Sequence, residues 1–162
     1  YNDYYLINRV PIKSADGTQV VIDHLLFGNK FIYCIKDKYY RGAVEGKLID
    51  EKWIFFDEES KYEKSNFIDN EIKINQIRLK KIIQVTDIDS TMFVNIVVVN
   101  NDCIIENLES DSTNIICHIK DLKKTIKAFE ERQDVNPIDP IQLQHVGNDI
   151  YDNLKIDKGD ND

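Results

Sequence analysis

The chain has 162 residues, 42% of them hydrophobic and 31% charged, with a formal net charge of −8. This length and apolar content predict one domain with a core of its own, independent of disulfides or a structural metal. The acidic balance excludes a protein that attracts nucleic acid through its overall charge, so any such contact requires a local basic patch. Three cysteines, Cys34, Cys103 and Cys117, lie in apolar segments without zinc-site spacing. They favour a reduced, cytoplasmic protein. No apolar run reaches the roughly 20 residues of a membrane-spanning helix.

The first half of the sequence predicts a series of short strands. Residues 4–10 predict an opening strand that ends at Pro11, and residues 14–17 predict a turn. Residues 18–36 predict a β-hairpin. Further along, residues 50–52 separate two short strands, the second of which contains Trp53, and residues 57–65 predict a charged loop.

The second half alternates helical and extended patterns. A helix is predicted from about residue 68 to 85, with Asn66 or Asp69 as its cap. The β-branched run over 93–99 predicts a strand buried on both faces, followed by shorter strands at 103–106 and 114–118. Two more helices are predicted, one from Ile119 that stops before Pro137 and one over 143–154. The pattern predicts an α/β or α+β fold with a central mixed β-sheet and flanking helices. We expect a single domain over residues 1–155 and a frayed tail over 156–162.

The hairpin over residues 18–36 contains the side chains with the clearest chemical potential. Gly28-Asn29 is typical of a two-residue primed turn, which sets the pairing of the two strands. The predicted pairs are Phe27 with Lys30, Leu25 with Ile32, Asp23 with Cys34, and Val21 with Lys36. Because side chains alternate along a strand, Asp23, Cys34 and Lys36 are expected on one face. An acid and a lysine therefore converge there, with a cysteine beside them.

Several stretches together resemble the nuclease-related domain (NERD) family. In that family an Ile-Asp-His strand is followed by a Glu-x-Lys strand, a glycine and a tryptophan. The matching stretches are Ile22-Asp23-His24, Cys34-Ile35-Lys36, Tyr39-Tyr40-Arg41-Gly42, Gly46 and Trp53. The resemblance implies a restriction-endonuclease-like fold, as in PD-(D/E)xK nucleases, and Mg²⁺-dependent cleavage of phosphodiesters in DNA or RNA.

The same resemblance implies roles for individual residues. Asp23 corresponds to the first acid, a catalytic residue and metal ligand, and Lys36 to the catalytic lysine that stabilises the transition state. Lys38 and Arg41 form part of a basic patch that is interleaved with tyrosines. Such a patch contacts phosphates and stacks bases. The residues predicted to bind substrate are Gln19, Lys38, Tyr40 and Arg41.

The sequence also departs from the family pattern. The second acidic position is Cys34, whose thiol suits zinc or copper better than magnesium. Asp37 is expected on the opposite face from Lys36, as is His24 relative to Asp23, whereas Glu45 and Asp50 could fold back towards the site.

Two hypotheses follow from this departure. The first is a nuclease-like domain that resembles metal-dependent phosphodiesterases acting on DNA or RNA, with a degenerate active site. The second is a catalytically inactive nucleic-acid-binding or protein-interaction module, in which Asp23 and Lys36 form a structural ion pair. A further set of basic residues is interpreted as the solvated face of the helix over 68–85: Lys73, Arg78, Lys80 and Lys81.

Overall fold

The computed structural model describes residues 4–13, 16–86 and 88–159, the last seven as backbone only. The strands are β1 Tyr5–Lys13, β2 Gln19–Phe27, β3 Ile32–Lys38, β4 Gly42–Glu45, β5 Lys52–Asp57, β6 Ser65–Asp69, β7 Phe93–Val99, β8 Ile104–Glu106 and β9 Asn114–His118. The helices are α1 Glu71–Thr86, α2 Ile119–Glu130 and α3 Pro140–Gly159. Within these ranges no helix is both long and apolar enough to cross a membrane.

The strands form two mixed sheets. The larger has the order β1-β2-β3-β7-β9, in which the first three strands are antiparallel and β3, β7 and β9 are parallel. The smaller has the order β6-β5-β4-β8, and only β4 and β8 are parallel. The mixed α/β architecture is therefore confirmed, and it is consistent with a restriction-endonuclease-like fold. The sequence pattern predicted one central sheet, whereas the strands divide between two.

Helices cover both faces of the larger sheet. On one face, Ile82 of α1 and Val146 and Ile150 of α3 pack against β1, β2 and β3. On the other face, Ile126 and Phe129 of α2 pack against β3, β7 and β9. Because β7 is covered from both sides, all seven of its residues are buried, as the β-branched run predicted.

The smaller sheet packs at the carboxyl ends of the central strands. Val97 and Val99 of β7 contact a cluster that includes Trp53 and Val44 of the smaller sheet and Ile72 of α1. Trp53 is completely buried, and its indole nitrogen donates to the carbonyl of Lys47 at 3.1 Å. The end of β3 that carries Lys36 and Lys38 therefore lies beside the junction of the two sheets.

Three predicted boundaries in the first half are wrong. β1 continues through Pro11, which pairs with Val21, because an edge strand tolerates a residue without an amide proton. The strand expected before residue 50 is a turn in which Asp50 accepts the amide of Lys47 at 2.9 Å. Residues 65–69 form β6 rather than the start of a helix. The cap of α1 is Asn70, whose side chain accepts the amide of Lys73 at 3.1 Å.

The loop between β2 and β3 differs from the predicted two-residue turn. It contains four residues, 28–31, and is closed by the amide of Gly28 donating to the carbonyl of Phe31 at 2.9 Å. The carboxylate of Glu130, at the end of α2, accepts the amide of Asn29 at 2.6 Å and the hydroxyl of Tyr33 at 2.7 Å. It also accepts the amide of Lys30, at 3.2 Å. The loop is therefore built around a distant acid.

Gly28 leaves room for the Glu130 carboxylate, which a Cβ atom at this position would displace. A Cβ atom at residue 28 would lie 2.7–2.9 Å from the carboxylate atoms of Glu130, closer than van der Waals contact allows. The same carboxylate accepts the hydroxyl of Tyr33, and both burial and this hydrogen bond raise the pKa of Tyr33.

Glu130→Ala is expected to lower the free energy of unfolding by about 2 kcal/mol, because two loop amides and a buried hydroxyl lose a charged acceptor. Urea denaturation monitored by circular dichroism measures this change. Glu131→Ala is the matched control, since Glu131 is exposed and lies 3.8 Å from Lys127 in a surface ion pair. The control should cost less than about 0.5 kcal/mol. Equal losses in the two variants would contradict the proposed role of Glu130.

Candidate functional site

Asp23 and Lys36 meet directly across β2 and β3. The Nζ atom of Lys36 lies 3.2 Å from Oδ2 of Asp23, and the two side chains are 22% and 27% exposed. Leu25 pairs with Cys34, so the register places Asp23 opposite Lys36 and not opposite Cys34 as predicted. The four-residue loop causes this shift of two residues. An even shift preserves alternation, so Asp23, Cys34 and Lys36 still share one face.

The strand carrying Asp23 departs from regular alternation at this point. Ile22 and Leu25, three residues apart, are both completely buried, and Arg9 on β1 has a left-handed φ of 53°. The Oδ2 atom of Asp23 also accepts the amide of Asp37 at 3.1 Å, beyond the last β2–β3 pair. The carboxylate is therefore engaged by both an ammonium group and a backbone amide.

His24 and Asp37 interact with each other, a contact that the sequence analysis did not predict. His24 contacts the Oδ1 atom of Asn8 through Nδ1, at 2.6 Å, and the carboxylate of Asp37 through Nε2. The Asp37 side chain is 60% exposed. This pairing directs the Asp37 carboxylate to His24 and away from the face that carries Asp23 and Lys36.

Cys34 lies in the hydrophobic core. It is completely buried and belongs to the cluster that also contains Leu25, Phe93 and Ile82. Burial raises the pKa of its thiol to about 12, although the positive charge of Arg78 acts in the opposite direction. At neutral pH the buried thiol is protonated, and sulfur is a poor ligand for Mg²⁺, which prefers oxygen ligands.

A buried amide network fixes α1 above Cys34. The side-chain nitrogen of Asn75 donates to the carbonyl of Cys34 at 3.1 Å and to Oδ1 of Asn95 at 2.7 Å. Asn95 in turn donates to the carbonyl of Ile72 at 3.0 Å and to Oδ1 of Asn114 at 3.1 Å. The sequence interpretation missed this network. Its signal is the single polar residue of the run FVNIVVV.

A second acid–lysine pair lies further along β3. The Nζ atom of Lys38 is 3.3 Å from Oε1 of Glu71, a 6% exposed residue at the start of α1 that the sequence interpretation also missed. The ring of Tyr40 lies beneath the Lys38 ammonium group, 5.8 Å from it. Tyr40 is 7% exposed, and its hydroxyl has no hydrogen-bond partner in the described ranges. Burial and the neighbouring Glu71 raise its pKa.

The predicted substrate-binding residues are not all brought together. Lys38 lies two residues from Lys36 on the same strand, but the buried ring of Tyr40 presents no face for base stacking. Arg41 is held by Glu58 and Glu59 at 3.4 and 3.1 Å. Gln19 is at the far end of β2, where it pairs with Lys13. Of the four, Lys38 is the residue that β3 places on the same face as Lys36.

The donor set does not fit Mg²⁺. Over the described residues, no three His, Cys, Asp or Glu side chains lie close enough together to hold a metal ion. Asp23 is engaged by Lys36, and Cys34 is a buried neutral thiol. Glu45 and Asp50 line a different concavity, of about 760 Å³, on the smaller sheet. Mg²⁺ ordinarily takes one or two free carboxylates, which this face does not offer.

The raised pKa of Cys34 predicts a loss of stability at alkaline pH. Its ordinary value is 9.0 and its folded value about 12, so above pH 9 the unfolded chain releases a proton that the folded chain retains. The free energy of unfolding then falls by about 1.4 kcal/mol per pH unit from this group. Urea titrations from pH 8 to about pH 10.5 measure the slope.

Cys34→Ala is the comparison for this slope. The cavity left by the substitution lowers the free energy of unfolding by the same amount at every pH. Because alanine does not ionise, the stability of the variant should fall less steeply above pH 9 than that of the native chain. Cys103→Ala should reduce the slope to a similar extent up to about pH 10, because burial raises the pKa of Cys103 to about 11. Parallel curves for the native chain and Cys34→Ala would contradict the assignment.

Comparison with protein-family models identifies one match. The model described as the nuclease-related domain matches residues 1–100, which include the Asp23–Lys36 hairpin, α1 and β7. Comparison with curated proteins and with solved structures returned no match. The matched segment is more than half of the 162 residues. The chain therefore belongs to the nuclease-related domain family.

Proposed function

We propose that this domain contacts DNA or RNA but has a degenerate site for metal-dependent phosphodiester cleavage. The observation that carries the proposal is the state of Cys34. It occupies the position of the family's second acid and is a buried, protonated thiol within the core. With a cysteine at position 34, Asp23 is the only retained acid of the predicted pair, and its charge is compensated by Lys36.

The remaining polar groups support a binding role. Lys36 and Lys38 lie on one face of β3, and each is paired with one acid, Asp23 or Glu71. The side chains of Lys36 and Lys38 are 22% and 38% exposed, so a phosphate can approach their ammonium groups. Because the chain carries a net charge of −8, we expect weak binding that falls steeply with salt.

The competing candidate is an active Mg²⁺-dependent phosphodiesterase. It is favoured by the retention of the Asp23–Lys36 pair at 3.2 Å, in the positions of the family's first acid and lysine. It requires a second carboxylate beside Asp23, whereas Glu71, the other acid on this face, is paired with Lys38 at 3.3 Å. A protein-interaction module is the remaining alternative, and it predicts no nucleic-acid binding at all.

A cleavage assay separates these candidates. The native chain, Asp23→Ala and Cys34→Glu are incubated with Mg²⁺ or Mn²⁺ and labelled single- or double-stranded DNA or RNA. We expect no cleavage by the native chain, together with salt-sensitive binding of the same substrates in a parallel mobility-shift measurement. Cleavage gained by Cys34→Glu would identify the missing acid as the decisive loss.

Two other outcomes would contradict the proposal. Cleavage by the native chain that Asp23→Ala abolishes would overturn the degenerate-site proposal in favour of an active enzyme. Absence of both cleavage and binding would favour a protein-interaction module. Because Cys34 is completely buried, Cys34→Glu is expected to lower thermal stability, so its folding is checked by circular dichroism before activity is compared.

A further inference from the structure

Arg78 does not belong to the solvated face of α1 on which the sequence pattern placed it. It is partly buried, whereas its neighbour Lys80 is exposed. Its Nη1 atom lies 3.5 Å from Oδ1 of Asn75, whose side-chain nitrogen contacts the carbonyl of Cys34 at 3.1 Å. The guanidinium group therefore lies next to the strand position that should carry the second acid.

Arg78 also differs from the neighbouring cations in its partners. Lys36 is paired with Asp23, Lys38 with Glu71, and Lys73 with Glu51 at 2.8 Å. No carboxylate forms an ion pair with Arg78 in the part of the chain that the structure describes, and its contact with Asn75 is at the distance limit of a hydrogen bond.

This isolation has a chemical consequence. A partly buried cation without a counter-charge keeps an uncompensated desolvation cost, which an incoming anion reduces. The guanidinium group carries five N–H donors in a planar fork that matches the oxygens of a phosphate. The unfilled bonding capacity of Arg78 therefore fits a phosphate better than it fits an uncharged ligand.

We propose that Arg78 binds a phosphodiester of a nucleic-acid strand at the Asp23–Lys36 site, and that this contact requires no divalent metal. The inference rests on the proposed nucleic-acid binding and deepens it by naming the residue that holds the backbone. In a metal-dependent site, two carboxylates would bind a metal ion whose positive charge contacts the phosphate. Here the guanidinium group of Arg78 supplies that positive charge.

The surrounding charges favour a strand of phosphates over a single phosphate ion. Lys36 and Lys38 project from the same face of β3, about 6.6 Å apart along the strand. With Arg78 they form a set of three cations against the two carboxylates of Asp23 and Glu71. A polymeric anion contacts more than one of these cations at a time, and multiple contacts strengthen its binding over that of inorganic phosphate.

Fluorescence anisotropy with labelled single- and double-stranded oligonucleotides in excess EDTA tests the proposal. We expect the native chain to bind, Arg78→Ala to weaken binding about tenfold, and the slope of log K against log salt to shrink by about one. Lys80→Ala is the matched control, since it removes one positive charge from an exposed position of the same helix. Its affinity should change by less than about threefold.

Two further measurements keep the test decisive. Arg78→Lys retains the charge without the planar fork, so its affinity should fall between those of the native chain and Arg78→Ala. If Arg78→Ala melts at a lower temperature than Lys80→Ala, the comparison is made with Arg78→Lys instead. Inorganic phosphate alone should compete poorly at a concentration equal to that of the oligonucleotide's phosphates.

The failures are distinguishable. Absence of binding by the native chain would overturn the proposed function and this inference together. Binding that Arg78→Ala leaves unchanged would overturn the role of Arg78 and leave the proposed function intact. Binding that EDTA abolishes and Mg²⁺ restores would overturn metal independence, and strong competition by inorganic phosphate would overturn the preference for a strand.

Discussion

The buried hydrogen bond between Asn75 and Asn95, 2.7 Å long, determines how α1 sits on the central sheet. Both amides are almost completely inaccessible, so each must find partners inside the protein. Asn75 does so by bonding to the carbonyl of Cys34, and Asn95 by bonding to that of Ile72. A helix held at these points cannot slide or rotate without leaving buried polar groups unpaired.

The position of α1 determines which charges surround β3. Glu71, at the beginning of the helix, reaches Lys38, and Arg78, two turns later, reaches the level of Cys34. Asp23 approaches from the other side, across the β2–β3 hairpin, and pairs with Lys36. The site is therefore assembled from three elements, and its two acids are each already neutralised by a lysine. This charge balance supports the proposed contact with a phosphate.

Family membership does not by itself establish catalytic competence. The hairpin preserves the backbone frame of a nuclease-related domain, with an acid and a lysine on one face of adjacent strands. Cys34 lies on the same face but within the core, and its buried environment keeps the thiol neutral. The hydrophobic core and the amide network hold these elements together, so the frame of the hairpin does not by itself reveal whether the site is active.

Local sequence patterns were sufficient to predict the elements that are determined by their own residues. The β-branched run of β7, the apolar spacing of α2 and the alternation that places Asp23, Cys34 and Lys36 on one face are all determined within a few neighbouring positions. Helix α1 was predicted for the same reason. Its predicted cap was wrong, because residues 65–69 pair with β5 and the helix is capped by Asn70 instead.

The tertiary structure alone decided the strand register and the partners of the site. The loop over residues 28–31 follows the carboxylate of Glu130, which is 101 positions from Asn29, and this loop places Asp23 opposite Lys36. Likewise, Arg78 faces inward because Asn75 is anchored to β3 and β7. The sequence by itself determined which chemical groups lie on one face of the hairpin. Their pairing was decided by contacts between distant segments, because local periodicity contains no information about which distant side chain fills a loop or neutralises a charge.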